Sequence, residues 1–453
     1  MTQPGNSLAS RDLRNLLHPQ TNLKMHLEKG PFIVVRGNGV EVFDEDGKAY
    51  IEGLAGLWCT SLGFNEPRLV AAATRQLETL PYYHNFGSKA HDVGIELAEK
   101  LIDYIPADMS KVFFANSGSE AVDTAIKLAW YYNNGRGHPE KKKIISRQRA
   151  YHGVTVASSS LTALAPIQRD FDVPIANILH TDCPHHYRFA ETGEDEEAFA
   201  TRLAENLDKL IEAEGPETVA AFFAEPVMGA GGVIVPPRTY FDKVQKVLRK
   251  HDVLFVCDEV ICGFGRTGNK FGFETYDIRP DMITMAKALS SGYAPISALA
   301  ITEDIFDILV EQSGKIGVFG HGFTYSAHPL SAAVALETLK IYEERDTLSH
   351  VRDIIPHFQA RLRALGDHPL VGEARGVGLI GAVELVADKA GKTPFDPKAL
   401  TGLQAAAAAQ ARGVIVRAIG DVLAICPPLI IEPGQIDALF DRLTQGLDDM
   451  GAK

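Results

Sequence analysis

Apolar and polar positions alternate through residues 31–52, PFIVVRGNGVEVFDEDGKAYIE, around Asn38-Gly39 and Asp46-Gly47. This pattern predicts an antiparallel hairpin or small meander. From about residue 66 to 330 the pattern changes. Short apolar runs (KVFFA 111–115, KKIIS 142–146, VAAFFAE 219–225, VLFVCDE 253–259, DMITMAK 281–287 and SALAIT 297–302) are interleaved with helical segments. Strands with no polar face, separated by helices, predict an α/β fold around a mainly parallel, doubly wound sheet. After KVFFA, Val122, Ala125, Ile126 and Ala129 fall on one helical face, and Ser117 with Glu120 has the spacing of a capping box. Beyond residue 330, helical stretches, GVGLIGAVEL (376–385), an alanine-rich helix near 405–409 and GVIVRAIGDVLAICPP (413–428) read as a smaller α+β lobe. The predicted division is a 1–65 segment joining the small domain, a large domain at 66–330 and a C-terminal small domain at 331–453.

The 58 acidic and 45 basic residues leave a net charge of -13, and no basic run offsets it, so a nucleic-acid partner is not expected. The polar first twenty residues and the absence of an apolar run near 18 residues argue against a secretory leader and a membrane partner. Five scattered cysteines without a C-x-x-C read as reduced thiols, and a cytoplasmic location is expected.

Three motifs are set aside on context. Gly263, Gly265 and Gly268 satisfy G-x-G-x-x-G, but no helical pattern opens at Gly268 and no acidic residue follows at the ribose-binding distance. VLFVCDE resembles the magnesium-holding strand of a P-loop ATPase, yet no phosphate cradle accompanies it; Gly391-Lys392-Thr393 lacks the first glycine and a preceding strand. Cys183, His185 and His186 have no second ligand pair, so no metal is expected.

Asp258 ends one apolar strand and Lys287 follows another, and in an open parallel sheet such ends share the ligand crevice. Singly, Asp258 reads as a capping residue and Lys287 as a helix-terminus lysine. Together they meet the needs of pyridoxal phosphate: an amine for the Schiff base and a carboxylate to keep the pyridine nitrogen protonated. Asn116-Ser117-Gly118-Ser119, at a predicted helix start, supplies a nest for the phosphate.

These residues lie in a nearly full-length pattern: GLAGLWCTSLGF, FFANSGSEAVDTAIKLAWYYN, RAYHGVT, FFAEPVMGAGGVIVPP, CDEVICGFGRTG, MAKALSSGY, HGFTYSAHP and VIVRAIGDVLAICPP. The chain resembles class III pyridoxal-phosphate aminotransferases of fold type I, and within them the amine:pyruvate (omega) transaminases. The resemblance implies that Lys287 bonds the cofactor, Asp258 partners its ring nitrogen, and Gly118 and Ser119 hold its phosphate. Tyr151 would stack on the ring with Val260 on the other face; Ser117, His152 and Glu225 complete the expected cofactor-binding set, His152 by shaping the turn that carries Tyr151. Thr324 would reach the cofactor of a neighbouring subunit, which implies a homodimer, or a tetramer, with sites at the interface. Trp58, Phe86 and Tyr151 would line the amine pocket, and Arg417 would hold a substrate carboxylate; on composition alone the first two read equally as core aromatics and Arg417 as a strand-edge residue. Ornithine- and 4-aminobutyrate-type relatives pair that arginine with a glutamate where this chain has Ala230, and often carry glutamine where it has Ile261. A few of the family's pocket residues near the amino terminus cannot be placed within residues 11–26.

The expected activity is ping-pong transfer of an amino group from a primary amine or omega-amino acid to pyruvate or another 2-oxo acid. A pyridoxal-phosphate aminomutase or decarboxylase is the alternative within the fold, and a nicotinamide-dependent oxidoreductase the alternative outside it.

Overall fold

The computed structural model describes residues 5–451. At its centre is a seven-stranded sheet in the order Lys111–Ala115, Ser297–Ile301, Met282–Met285, Leu254–Asp258, Val219–Ala224, Lys143–Arg147 and Ile178–Thr181. All neighbours pair in parallel except Ser297–Ile301, which is antiparallel to the strands on both sides. Six of these strands are the six apolar runs; the seventh, Ile178–Thr181, is a four-residue edge strand with two half-exposed positions and has no run to announce it. The central strands are buried at every position. On one face Ala221, Phe223, Val256 and Met282 pack with Val122, Ala125, Ile126 and Ala129 of the helix Gly118–Gly135. On the other, Phe222, Phe255, Cys257 and Ile283 pack with Phe241, Val244 and Leu248 of the helix Tyr240–Lys250. Each fully buried Leu, Val or Phe contributes about 1.5–3 kcal/mol by leaving water.

Two smaller sheets flank it. The amino-terminal meander Val34–Asn38, Glu41–Asp44 and Ala49–Glu52 is antiparallel, as its alternation predicts, and gains a fourth, parallel strand, Val414–Ile415, from the far end of the chain. The GVIVRAIGDVLAI run is therefore divided: Val414–Ile415 joins that meander, whereas Arg417–Ile419 and Val422–Ile425 join Val371–Val377 and Ile380–Leu385 in an antiparallel sheet. In the acidic segment 193–197 the Asp195 side chain accepts the Ala198 N–H and caps the helix Glu196–Glu214, while Glu194 pairs with Arg202. Among the described residues, no helix is long and apolar enough to cross a membrane.

Candidate active site

Parallel strands place their carboxyl ends at one edge of the sheet, and five of them deliver the candidate residues there. Asp258 ends Leu254–Asp258; Lys287 lies two residues past the adjacent strand Met282–Met285; Glu225 follows Val219–Ala224; Tyr151 and His152 follow Lys143–Arg147; and the helix Gly118–Gly135 starts three residues past Lys111–Ala115. They open on a cavity of about 510 Å³ lined by Trp58, Gly118, Ser119, Tyr151, His152, Glu225, Ala230, Asp258, Val260, Lys287 and Arg417, among others. A larger cleft, about 960 Å³, contains none of them.

Asp258 is buried, its Oδ1 accepting the Val260 N–H at 3.1 Å and its Oδ2 lying 2.7 Å from His152 Nδ1. His152 thus does more than shape a turn: it bonds the aspartate directly, and its Nε2 stands 3.9 Å from Glu225 Oε2. Glu225 is in turn held by the fully buried Arg147, whose Nη2 donates to the Glu225 carbonyl at 2.6 Å, and by the Tyr151 N–H at 3.3 Å. Burial pushes the Glu225 carboxyl above its usual range, with His152 and Arg147 pulling it back.

Lys287 has a left-handed backbone, φ 50°, which costs a non-glycine residue roughly 1–2 kcal/mol. Burial lowers its amine pKa, opposed by Cys59 and Asp258. Its Nζ lies 5.4 Å from the centroid of the Trp58 ring, and the Arg417 guanidinium lies 5.1 Å from the same ring. Trp58 is 3% exposed and also left-handed, φ 60°.

At the helix start, Ser117 Oγ accepts the Glu120 N–H at 3.2 Å, as a capping box requires. The reciprocal bond is displaced by one residue, because Glu120 Oε2 accepts from the Asn116 N–H and side-chain amide at 2.7 and 2.9 Å. The first-turn amides of Gly118 and Ser119 lack a preceding helical turn, and both residues line the cavity, where such amides suit an anion. A Cβ on Gly118 would come within 3.2 Å of the Val260 methyls, so glycine keeps that passage open. The residues present therefore fit pyridoxal phosphate: an amine, a buried carboxylate and a helix N-terminus converge on one cavity with an aromatic ring, Tyr151, in its wall.

Two expected residues lie elsewhere. Phe86 does not line this chain's cavity; it is 48% exposed, and its ring packs against Gly322, where a Cβ would meet it at 2.6 Å. Thr324 is exposed nearby, its carbonyl accepting from Tyr82 Oη at 2.8 Å. Conversely, Pro19 and Gln20 enter the cavity wall from the amino-terminal segment, where no motif marked them. The glycines at 263–268 form a packed loop, with Arg266 donating to the Leu379 and Pro427 carbonyls at 3.1 and 2.6 Å. His185 bonds Glu373 at 2.8 Å and His186 bonds the Glu194 carbonyl at 2.9 Å, so the two do not share a ligand centre.

A lysine and an aspartate on adjacent strand ends, facing a helix N-terminus in a sheet of this order, define a pyridoxal-phosphate-dependent enzyme of fold type I. Residues 25–447 match the family Aminotransferase class-III, and the chain belongs to that family. It is 50% identical over 450 residues to gamma aminobutyrate transaminase 3, chloroplastic, of Solanum lycopersicum, covering 98% of this chain and 86% of the relative. The omega transaminase of Pseudomonas jessenii, solved in complex with PMP, superposes with a TM-score of 0.96 at 54% identity, covering 98% of each chain. A thermostable omega transaminase variant, W58M/F86L/R417L, engineered for asymmetric synthesis of enantiopure bulky amines, superposes at 0.97 with 53% identity, covering 98% of this chain and 99% of that one. The protein is an aminotransferase that uses pyridoxal phosphate and passes an amino group to a keto acid.

Proposed function

We propose that the donor is a primary amine and the acceptor pyruvate or another small 2-oxo acid. The observation that carries this reading is the setting of Arg417. It forms no ion pair among the described residues, its neighbours being the Gln20 side chain at 3.3 Å, the Trp58 ring and the Tyr151 side chain, and it has Ala230 rather than an acid in the shared wall. A guanidinium without a carboxylate partner is free to take the acceptor's carboxylate bidentately, and no ion pair must be broken first. Trp58 and Leu57 leave an apolar wall for the side chain of an uncharged amine.

In this reading Lys287 would hold the cofactor by its aldehyde carbon, and its amine, when free and neutral, would move the proton at the donor carbon. Burial favours that neutral form. Asp258, fixed by His152 and the Val260 N–H, keeps the proton on the ring nitrogen. Bound there, pyridoxal phosphate would supply an electron sink for the donor carbon and a carrier for the amino group between the two half-reactions. Gly118, Ser119 and the helix start hold the phosphate, and Tyr151 and Val260 flank the ring.

Phe86 and Thr324 serve a second copy's cavity, which makes the enzyme a homodimer. In support, exposed apolar side chains gather on that surface, Tyr82, Tyr83, Phe86, Val318 and Tyr325 among them, and the engineered neighbour carries substitutions of Trp, Phe and Arg at the numbers of Trp58, Phe86 and Arg417. The division at residues 65 and 330 belongs to the same reading, with the amino-terminal meander attached to the small lobe through Val414–Ile415. A cytoplasmic location rests on five free thiols, four of them buried, although the tomato relative is described as chloroplastic.

A second reading, in which a 4-carbon omega-amino acid is the donor and Arg417 holds its carboxylate, is favoured by the relative's name. A donor screen against pyruvate and 2-oxoglutarate separates the two. Faster turnover of 1-phenylethylamine with pyruvate supports the first, and faster turnover of 4-aminobutyrate than of any uncharged amine replaces it with the second.

A further inference from the structure

Residues 16–22 join two short helices, Leu8–Asn15 and Leu23–Lys29, and pass over the mouth of the cavity. A polar knot ties both flanks of this crossing. Asp12 Oδ2 lies 2.8 Å from His18 Nε2, Asp12 Oδ1 lies 3.1 Å from His26 Nε2, and the two imidazoles stand 4.2 Å apart. Between the knot's two histidines, Gln20 adopts a left-handed backbone, φ 45°, and its side chain reaches the cavity wall. There Gln20 Oε1 accepts from Arg417 Nη2 at 3.3 Å, and the Gln20 side chain shares the cavity wall with Tyr151, whose hydroxyl pKa it pulls down against the upward push of burial.

We infer that Gln20 is a specificity-determining positioning residue: a neutral latch that points Arg417 into the cavity and thereby sets the affinity for the acceptor's carboxylate. The inference rests on the proposed role of Arg417. A single bond to an uncharged amide orients the guanidinium and leaves its remaining N–H groups for a second, bidentate partner. A carboxylate at position 20 would instead pair with Arg417 and compete with every carboxylated substrate. An aliphatic side chain there would leave the guanidinium without its guide. Because Gln20 shares the cavity wall with Tyr151, the latch fixes the arginine relative to that wall rather than only to the half-buried strand that carries it.

The test compares pyruvate with propanal, an acceptor of similar size and no charge, and measures the ratio of their KM values in the holoenzyme. Gln20→Glu should raise that ratio by about tenfold, and Gln20→Leu by about threefold, as expected for replacing one charge-assisted bond by a competitor or by nothing. Propionate, which cannot react, should bind the Gln20→Glu holoenzyme about tenfold more weakly in calorimetry, by the same competition. In an Arg417→Leu background, Gln20→Glu should change neither quantity. A rise in both KM values together, with their ratio unchanged, overturns the inference, since loss of packing moves both acceptors. If Arg417→Leu alone leaves the pyruvate KM unaltered, the reading of Arg417 fails and the latch with it. If Arg417→Leu raises it while the Gln20 variants do not shift the ratio, the latch alone fails.

Discussion

His152 Nδ1 lies 2.7 Å from Asp258 Oδ2, both side chains buried, with Glu225 and Arg147 extending the chain of charges behind them. The carboxylate expected to face the ring nitrogen is thus held at both oxygens, by an imidazole on one and the Val260 N–H on the other. Removing the imidazole leaves a buried anion without its partner, which costs about 3 kcal/mol or more. His152→Ala should therefore lower the melting temperature. It should also slow the donor half-reaction by about 10²-fold, as loss of a preorganised charge in a dry site does. Stopped-flow absorbance of the bound cofactor reads the rate; a half-reaction at the wild-type rate would separate His152 from Asp258 function.

Lys287→Ala should abolish turnover and the visible absorbance of the lysine-bound cofactor. The variant should still bind the phosphate end, because Gly118, Ser119 and the helix start are untouched. Equilibrium dialysis with pyridoxal phosphate checks this, with inorganic phosphate as competitor. Turnover above a thousandth of wild type would place the amine elsewhere.

Trp58 fills the wall between Lys287 and Arg417. Trp58→Gly should admit bulkier amines, raising kcat/KM for a donor with a branched or aromatic second substituent by about tenfold, roughly the discrimination that a few methylenes in a pocket provide. The lost burial costs about 3–5 kcal/mol. Relief of the left-handed backbone at this position, φ 60°, returns about 1–2 kcal/mol, so the net loss in a denaturant titration should be smaller than for a tryptophan in ordinary backbone.

Glu52, buried beneath the turn that carries Trp58 and accepting the Gly56 N–H, has its carboxyl pushed up to about 7 by burial. The folded state therefore keeps this proton after the unfolded chain has lost it. Its contribution to stability is full below the unfolded value near 4.5 and is lost as pH rises through about 7. Glu52→Gln, which keeps the acceptor oxygen, should melt higher than wild type at pH 8 and equal to it near pH 4.5. A constant difference across that range would show that Glu52 does not titrate there.

Asp12→Ala unties the knot flanking residues 16–22. The pyruvate KM should rise about threefold while kcat holds, because a freed segment no longer presents Gln20 at a fixed place. A parallel fall in kcat would mean that the segment also supports the reacting atoms.

The strand ends that bear Asp258 and Lys287 were readable because buried parallel strands are apolar without interruption, and the polar residue closing each run stands out. The helix from Gly118 was equally plain, since its four apolar positions face one sheet. Ile178–Thr181 was not, because a short edge strand with half-exposed positions has neither alternation nor a continuous apolar run. Gln20 and Pro19 join the site only through tertiary packing of an aperiodic segment, and periodicity carries no information about that. His152 was visible as a motif residue, but its bond to Asp258 spans two strand ends and belongs to the fold. Phe86 carries the same lesson in reverse: an aromatic expected in the pocket lies outside this chain's cavity and half exposed, a placement that packing decides and local pattern does not.

The pairing of Ile51 with Val414 joins strands that stand on opposite sides of the whole central sheet in chain order. During synthesis the amino-terminal meander must wait with one edge open until every strand of the central sheet has been made. A message truncated anywhere before that codon yields a product with an unsatisfied strand edge, a natural target for chaperones and proteases.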